Sequence, residues 1–428
     1  MEKLEFPQVG EVMYHQVLEN GASVFVFPKP EFQKGFAFFA TNYGGMDMRF
    51  CLDGQWHDTP AGVAHYLEHK MFDTQEGNAL QELAANGASP NAFTSSAITG
   101  YYFESTEKFE ENLKILLSFV SVPWFTQESV DKEQGIIGQE IRMIEDNPEW
   151  KVFTNLMEAL YENHPIRVNV AGSVESISHI TAETLYACHK AFYDPANMVL
   201  CVAGNVDPEA ICAVAREILP KEAGPIAKKD YGAPEPPHAA RAELVTEMEV
   251  STPMFQLGCK GDAPERGLPG LRQELVGELA MEALVGTSSP LYAKLYQAGL
   301  INASFGYGYD SYPGCAFLYA GGESKDPAAV KQAVLDEAAR LAREGIDAAL
   351  WSRLKKGLYG SQVRGLNSFD NLCVSQAQAF FAGRNLLDFA ALFDQLEKGE
   401  AEAMLARWAT PERTALSVVR PKGDAALD

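Results

Sequence analysis

His65-Tyr66-Leu67-Glu68-His69 places two imidazoles four residues apart, with a carboxylate immediately before the second. On a helix, residues i and i+4 lie on one face about a turn apart, so the two imidazoles can grip one metal ion. Glu68 follows His65 by three residues and projects beside that site rather than behind it. Two neutral imidazoles and a nearby carboxylate are the parts needed to hold Zn²⁺ and to take a proton from its bound water. The chain has 8 histidines in 428 residues, and roughly 0.01 matches of this pattern are expected by chance. The bland alternative is a helix carrying two unrelated polar histidines. The flanks, Ala61-Gly62-Val63-Ala64 and Lys70-Met71-Phe72, are mostly apolar and imply a helix packed inside the protein. Buried histidines need partners, because an unpaired buried polar group is costly, and a metal would satisfy both.

A catalytic zinc usually takes three protein ligands and a water. The best downstream stretch for the third is Glu133-Gln134-Gly135-Ile136-Ile137-Gly138-Gln139-Glu140-Ile141-Arg142. Glu133 and Glu140 stand two helical turns apart on one face, with Ile136, Ile137 and Ile141 as the expected apolar side. On spacing alone, two solvated surface carboxylates explain this helix as well as a metal ligand does.

Together these motifs resemble the pitrilysin/insulinase family of zinc metallopeptidases, whose signature is H-x-x-E-H, the inverzincin order. In that family a glutamate follows about 70 to 80 residues later, itself preceded by another glutamate seven residues earlier. Here the gap is 140 − 69 = 71 residues. Gly87-Ala88-Ser89-Pro90-Asn91-Ala92-Phe93-Thr94, His164-Pro165-Ile166-Arg167 and Phe192-Tyr193-Asp194-Pro195-Ala196-Asn197 resemble further landmarks, so the likeness spans the chain. The resemblance implies His65, His69 and Glu140 as zinc ligands and Glu68 as general base. It implies Glu133 as a carboxylate that orients a ligand.

Composition sets outer bounds. Hydrophobic residues make up 46% and charged ones 22%, an ordinary globular balance. With 35 basic against 58 acidic residues, the net charge is −23, which disfavours nucleic acid and anionic membranes as partners. No apolar run is long enough to span a bilayer. Met1 to Pro7 lacks the basic and apolar regions of a signal peptide. The seven scattered cysteines form no C-x-x-C and read as reduced thiols of a cytoplasmic protein.

The elements that must position these residues come in two copies. Ile136 to Arg142 can be laid on Leu358 to Arg364, an offset of 360 − 138 = 222, and Lys190 to Pro195 on Ala406 to Pro411, an offset of 411 − 195 = 216. Similar offsets indicate two copies of one unit. In the second, Gln362 faces Glu140, Lys355 faces Glu133, and Leu279 and Ala283 face the histidines. Pro- and Gly-rich residues 225–238 read as a linker. The expected domains are a catalytic 1–224 and a homologous, non-catalytic 239–428. Adjacent strand patterns with grouped helices point to α+β. The resemblance sharpens this to two homologous α/β-roll domains, each an antiparallel sheet with helices packed on one face.

The resemblance also implies peptide hydrolysis, with the substrate added as a strand along Asn91, Ala92 and Phe93. One departure stands out. Where relatives carry an Arg and a Tyr that contact substrate, this chain has Tyr296 and Asn302, leaving Tyr307 or Tyr309 as substitutes. Relatives of this size work as pairs of chains enclosing a chamber, so a homodimer or a heterodimer with a related, inactive subunit is expected. The competing expectation is a non-catalytic peptide-binding or scaffold subunit.

Overall fold

The computed structural model describes residues 1–423. Seven strands form the first sheet: Glu2–Phe6 (β1), Glu11–Val17 (β2), Ser23–Pro28 (β3), Gly35–Thr41 (β4), Ser89–Thr94 (β5), Thr99–Ser105 (β6) and Met198–Gly204 (β7). Their spatial order is β1-β2-β3-β7-β4-β6-β5. The second sheet comprises Glu243–Met248 (β8), Met254–Lys260 (β9), Gly306–Tyr312 (β10), Cys315–Glu323 (β11) and Thr414–Pro421 (β12). Its order is β8-β12-β9-β11-β10.

The duplication is visible in this topology. β3-β7-β4-β6-β5 and β8-β12-β9-β11-β10 repeat one another strand for strand, and so does the sense of each pairing. The protein is α+β, as expected, but the sheets are not purely antiparallel. β3 pairs parallel with β7, and β8 with β12. The cause is an insertion: β7 lies between two strands that are consecutive in sequence and runs antiparallel to β4, so it must run parallel to β3. The strands at the centre of the first sheet are apolar throughout, because both of their faces are covered. Every residue of Gly35–Thr41 and Met198–Gly204 is buried.

The helices needed below are Val63–Met71 (α1), Gln127–Glu145 (α2), Pro148–Leu160 (α3), Leu268–Val285 (α4), Ala348–Gly365 (α5) and Phe369–Phe381 (α6). The chain forms two compact units, and the expected division at 224 and 239 needs amending. Among the described residues, one unit comprises Met1–Ile141, Asn169–Tyr231 and Gln362–Ala390; the other comprises Arg142–Val168, Gly232–Ser361 and the residues from Ala391 onward. Each unit therefore takes a helix from the opposite half of the sequence. α3 packs on β12 and β9, and α6 packs on β7 and β4.

The two exchanged helices occupy equivalent places, with matching starts (369 − 148 = 221) and ends (381 − 160 = 221). Each has its own start signal: Asn147 caps α3 ahead of Pro148, and Ser368 caps α6. Each buries a helical stripe. In α3 it is Val152, Leu156, Ala159 and Leu160, joining a core with Tyr161, Phe317 and Ala415. In α6 it is Phe369, Leu372, Cys373, Gln376 and Ala377. Sequence order fails as a domain guide here because the apolar stripe, and not chain proximity, decides which sheet a helix covers.

Residues 225–238 are anchored at both ends rather than loose. Lys228–Lys229 pairs with Arg49–Leu52. The buried Asp47 receives Lys229 Nζ at 2.8 Å and Tyr231 Oη at 3.0 Å. In the other unit, Glu235 receives Lys260 Nζ at 2.7 Å and the backbone N–H groups of Glu162, Asn163 and His164. No helix among the described residues is long and apolar enough to cross a membrane. All seven cysteines are unpaired, and six of them are buried.

Candidate metal centre

α1 has only nine residues, too few to be stable alone. Burial holds it: Val63, Ala64, Tyr66, Leu67 and Met71 are each at most 2% exposed, and each large side chain contributes about 1.5–3 kcal/mol. Gly62 begins the helix at φ +92°, and a Cβ there would lie 2.5 Å from the carbonyl oxygen of Ala171. Both the dihedral and the close approach demand glycine. The Tyr66 hydroxyl donates to the Val130 carbonyl of α2 and sets the two site helices against each other.

Among the described residues, one group of three side chains could hold a metal: His65, His69 and Glu140. One ligand atom from each lies within 4.8 Å of the others. His65 Nε2 is 3.5 Å from Glu140 Oε1, and His69 Nε2 is 3.4 Å from Glu140 Oε2. His69 Nδ1 lies 3.2 Å from Glu133 Oε1, and Lys70 Nζ is 3.9 Å from Glu133 Oε2. Lys70 is buried and also pairs with Asp73. The residue pattern of α2 brings this about. Ile137 and Ile141 are fully buried, which turns Glu133 and Glu140 toward α1. Ile136, expected on the apolar side, is 52% exposed, because on the helical wheel it falls beyond the glutamates, away from Ile137 and Ile141.

The donor chemistry fits a cation. Glu133, held ionised, can only accept, so it fixes the neutral His69 with its proton on Nδ1 and a lone pair on Nε2. That lone pair then faces a carboxylate oxygen of Glu140, an arrangement that repels unless a metal ion, or a proton taken up by His69, lies between them. Ordinary N–H···O bonds are about 2.7–3.2 Å, shorter than both Glu140 contacts. Tetrahedral zinc with bonds of about 2.1 Å separates its ligands by about 3.4 Å. The 3.4 and 3.5 Å separations, each to a different oxygen of Glu140, leave room for an ion between the three side chains.

The carboxylates make the site one that attracts positive charge, whether a proton or a metal ion. Burial pulls the His69 pKa down, but the Glu133 bond and the charges of Glu68 and Glu140 raise it above its ordinary value. The His65 contact lowers Glu140 against the opposing effect of burial. The His69 bond lowers Glu133, with Lys70 assisting. Both carboxylates are thus held in the charged form that a metal needs.

Glu68 is 8% exposed, and its Oε2 accepts a 2.6 Å hydrogen bond from Thr94 Oγ1. Thr94 closes β5, which carries Asn91, Ala92 and Phe93 along an outer edge of the first sheet. Pro90 suits an edge position because it has no N–H to donate. Phe93 stacks on Phe38 with centroids 5.7 Å apart, and the Ala92 N–H donates to Asn91 Oδ1 at 2.9 Å. The sequence placed Thr94 only at the end of the candidate substrate strand, with no link to Glu68, and gave Lys70 no part. The only available signals were Thr94's place at the end of a strand-like run and Lys70's position next to His69.

In the second unit, the residues at the Arg/Tyr positions are occupied elsewhere. Asn302 bonds Glu323 and Ser304. Tyr296 is exposed and stacks on Tyr292. Neither suggested substitute is free: Tyr309 is buried, bonded to Gln273 and stacked on Trp408, and Tyr307 bonds Glu282.

A family profile described as Insulinase (Peptidase family M16) matches residues 53–173, and one described as Peptidase M16 inactive domain matches residues 179–358. An uncharacterized zinc protease of Bacillus subtilis, YmfH, is 37% identical over 98% of this chain and 99% of its own length. A crystal structure described as an M16-like peptidase from Alicyclobacillus acidocaldarius superposes with a TM-score of 0.93 at 32% identity, covering 98% of this chain and 100% of that one. A protease from Helicobacter pylori shares the fold, with a TM-score of 0.80 at 16% identity over 96% of this chain and 99% of that one.

Proposed function

This chain belongs to the insulinase (peptidase M16) family, and from that premise we propose that it is a zinc metalloendopeptidase acting on extended peptides or unfolded segments. The observation that carries the reading is the convergence of His65, His69 and Glu140 at zinc-ligand spacing, with Glu68 held beside them. Zn²⁺ bound there would supply a Lewis acid that acidifies water and polarises the scissile carbonyl. The remaining work falls to the chain itself. Glu133 keeps His69 in the tautomer whose Nε2 points inward. Glu68 takes a proton from the attacking water and returns it to the leaving amine. The free edge of β5 aligns the substrate main chain, giving affinity with little sequence preference. Residues 1–224 supply all of these groups, and the second half serves as a non-catalytic partner.

The test combines metal analysis with activity. Purified protein should hold about one zinc per chain and cleave a mixed peptide library. Glu68→Gln should keep the zinc and lose cleavage. A protein that takes up no zinc even when supplied with it would be a binding or scaffold subunit. The reading also carries a pair of chains around a closed chamber, either two copies of this one or this one with a related inactive subunit. Sedimentation of the purified protein, alone and mixed with a related subunit, tells the two apart.

A further inference from the structure

We propose that Thr94 is the positioning residue for the Glu68 carboxylate, fixing the base to the same strand that receives the peptide. The inference rests on the reading of Glu68 as general base.

The direction of the bond is settled by valence. An ionised carboxylate has no proton, so Thr94 Oγ1 donates to Glu68 Oε2 across 2.6 Å, the length of a strong charge-assisted bond. The neighbouring Thr99 hydroxyl does not compete. It donates to the Tyr43 carbonyl at 2.9 Å and lies 3.4 Å from Thr94 Oγ1. One lone pair of Glu68 Oε2 is thereby occupied, which leaves Oε1 the freer oxygen for a proton taken from water. Threonine suits the task because its β-branch limits χ1, so the hydroxyl holds one direction.

Thr94 sits two residues beyond Ala92 on the β5 edge. A peptide added to that edge is therefore registered against the strand that also aims the base. Sharing one rigid element lowers the cost of bringing water, base and carbonyl into line.

The second copy departs at this point. Thr94 pairs with Thr99, which pairs with Thr41. Thr41 in turn pairs with Met198, and the counterpart of Met198, Thr414, leads through Cys259 and Leu318 to Tyr309, so Tyr309 stands in the place of Thr94. The counterpart of Glu68 is Glu282, which is bonded by Tyr307 instead. A strand-to-helix bond thus survives where no chemistry is expected, which makes a purely architectural bond the competing account.

The experiment separates the two accounts. Thr94→Val keeps the shape and removes the donor; Thr94→Ser keeps the donor. The probe is an internally quenched peptide chosen from a random library by wild-type cleavage. Positioning predicts that Thr94→Val lowers kcat by about 10- to 100-fold, with KM within about twofold and zinc content and melting temperature unchanged. Thr94→Ser should recover kcat to within about threefold of wild type. A raised KM, or a loss that serine does not rescue, marks the bond as architectural and overturns the inference. Thr94→Val at wild-type rate beside an inactive Glu68→Gln overturns it alone, whereas Glu68→Gln at wild-type rate overturns the reading of the base as well. If the valine variant does not fold, Thr94→Ala gives the same readout.

Discussion

The two halves of this chain have one topology and two chemistries. β3-β7-β4-β6-β5 and β8-β12-β9-β11-β10 repeat strand for strand, including the parallel pair in each. α1 and α4 are counterparts that end at Met71 and Val285, an offset of 285 − 71 = 214. At that offset His65 and His69 meet Leu279 and Ala283, both fully or almost fully buried. Apolar packing has taken over the volume that the imidazoles fill in the first half. Glu133 meets Lys355, whose ammonium donates to the Leu396 carbonyl at 3.1 Å. The fold therefore depends on its apolar stripes and not on a metal, and a few polar positions decide whether a copy can do chemistry. Glu282 sharpens the point: the second copy keeps a glutamate where Glu68 stands, without the two histidines beside it.

The sharpest way to break this comparison is to neutralise the two matched glutamates. Glu68→Gln should lower kcat by about 10²- to 10⁴-fold with zinc retained, and Glu282→Gln should leave kcat within about twofold of wild type. Steady-state cleavage of one quenched peptide reads both. A comparable loss from Glu282→Gln would mean that the second half takes part in the reaction. The next contrast concerns how the ligands are held. Glu133→Gln should weaken zinc binding by about 10- to 100-fold, measured by competition with a chelator of known affinity. Lys355→Met, at the matching position, should leave zinc affinity unchanged.

These contrasts follow from what could and could not be read in the sequence. The metal triad was legible because its signal is local: i,i+4 and i,i+7 spacings on two helices. Its closure was not, since nothing local places α1 against α2; the Tyr66 bond to Val130 does that in three dimensions. The duplication was legible from paired offsets, but the exchange of α3 and α6 between units was not, because an amphipathic stripe does not name the sheet that will cover it. The parallel pairs followed from strand insertion, which depends on sheet order and leaves no mark in residue alternation. The anchors of residues 225–238, Asp47 and Lys260, left no local mark because they lie far away in sequence.

The smallest expected effect lies in the second half and concerns stability. Asp310, next to the residue that stands in the place of Thr94, is a half-buried carboxyl within reach of the Glu274 charge. Burial first, and the Glu274 charge second, raise its pKa from 3.8 to about 6. The fold thus favours the protonated form. Relative to the unfolded chain, this group's contribution to stability is fully present below about pH 4, fades as pH rises through 6, and is gone above it. Asp310→Asn is uncharged at every pH and avoids that loss. The variant should therefore melt higher than wild type at pH 8, by a margin worth about 1 to 2 kcal/mol after allowing for partial exposure. At pH 4 the two should melt together. A wild-type-like Asp310→Asn profile at pH 8 would mean that the Asp310 carboxylate is solvated or paired and that its position carries no stored cost.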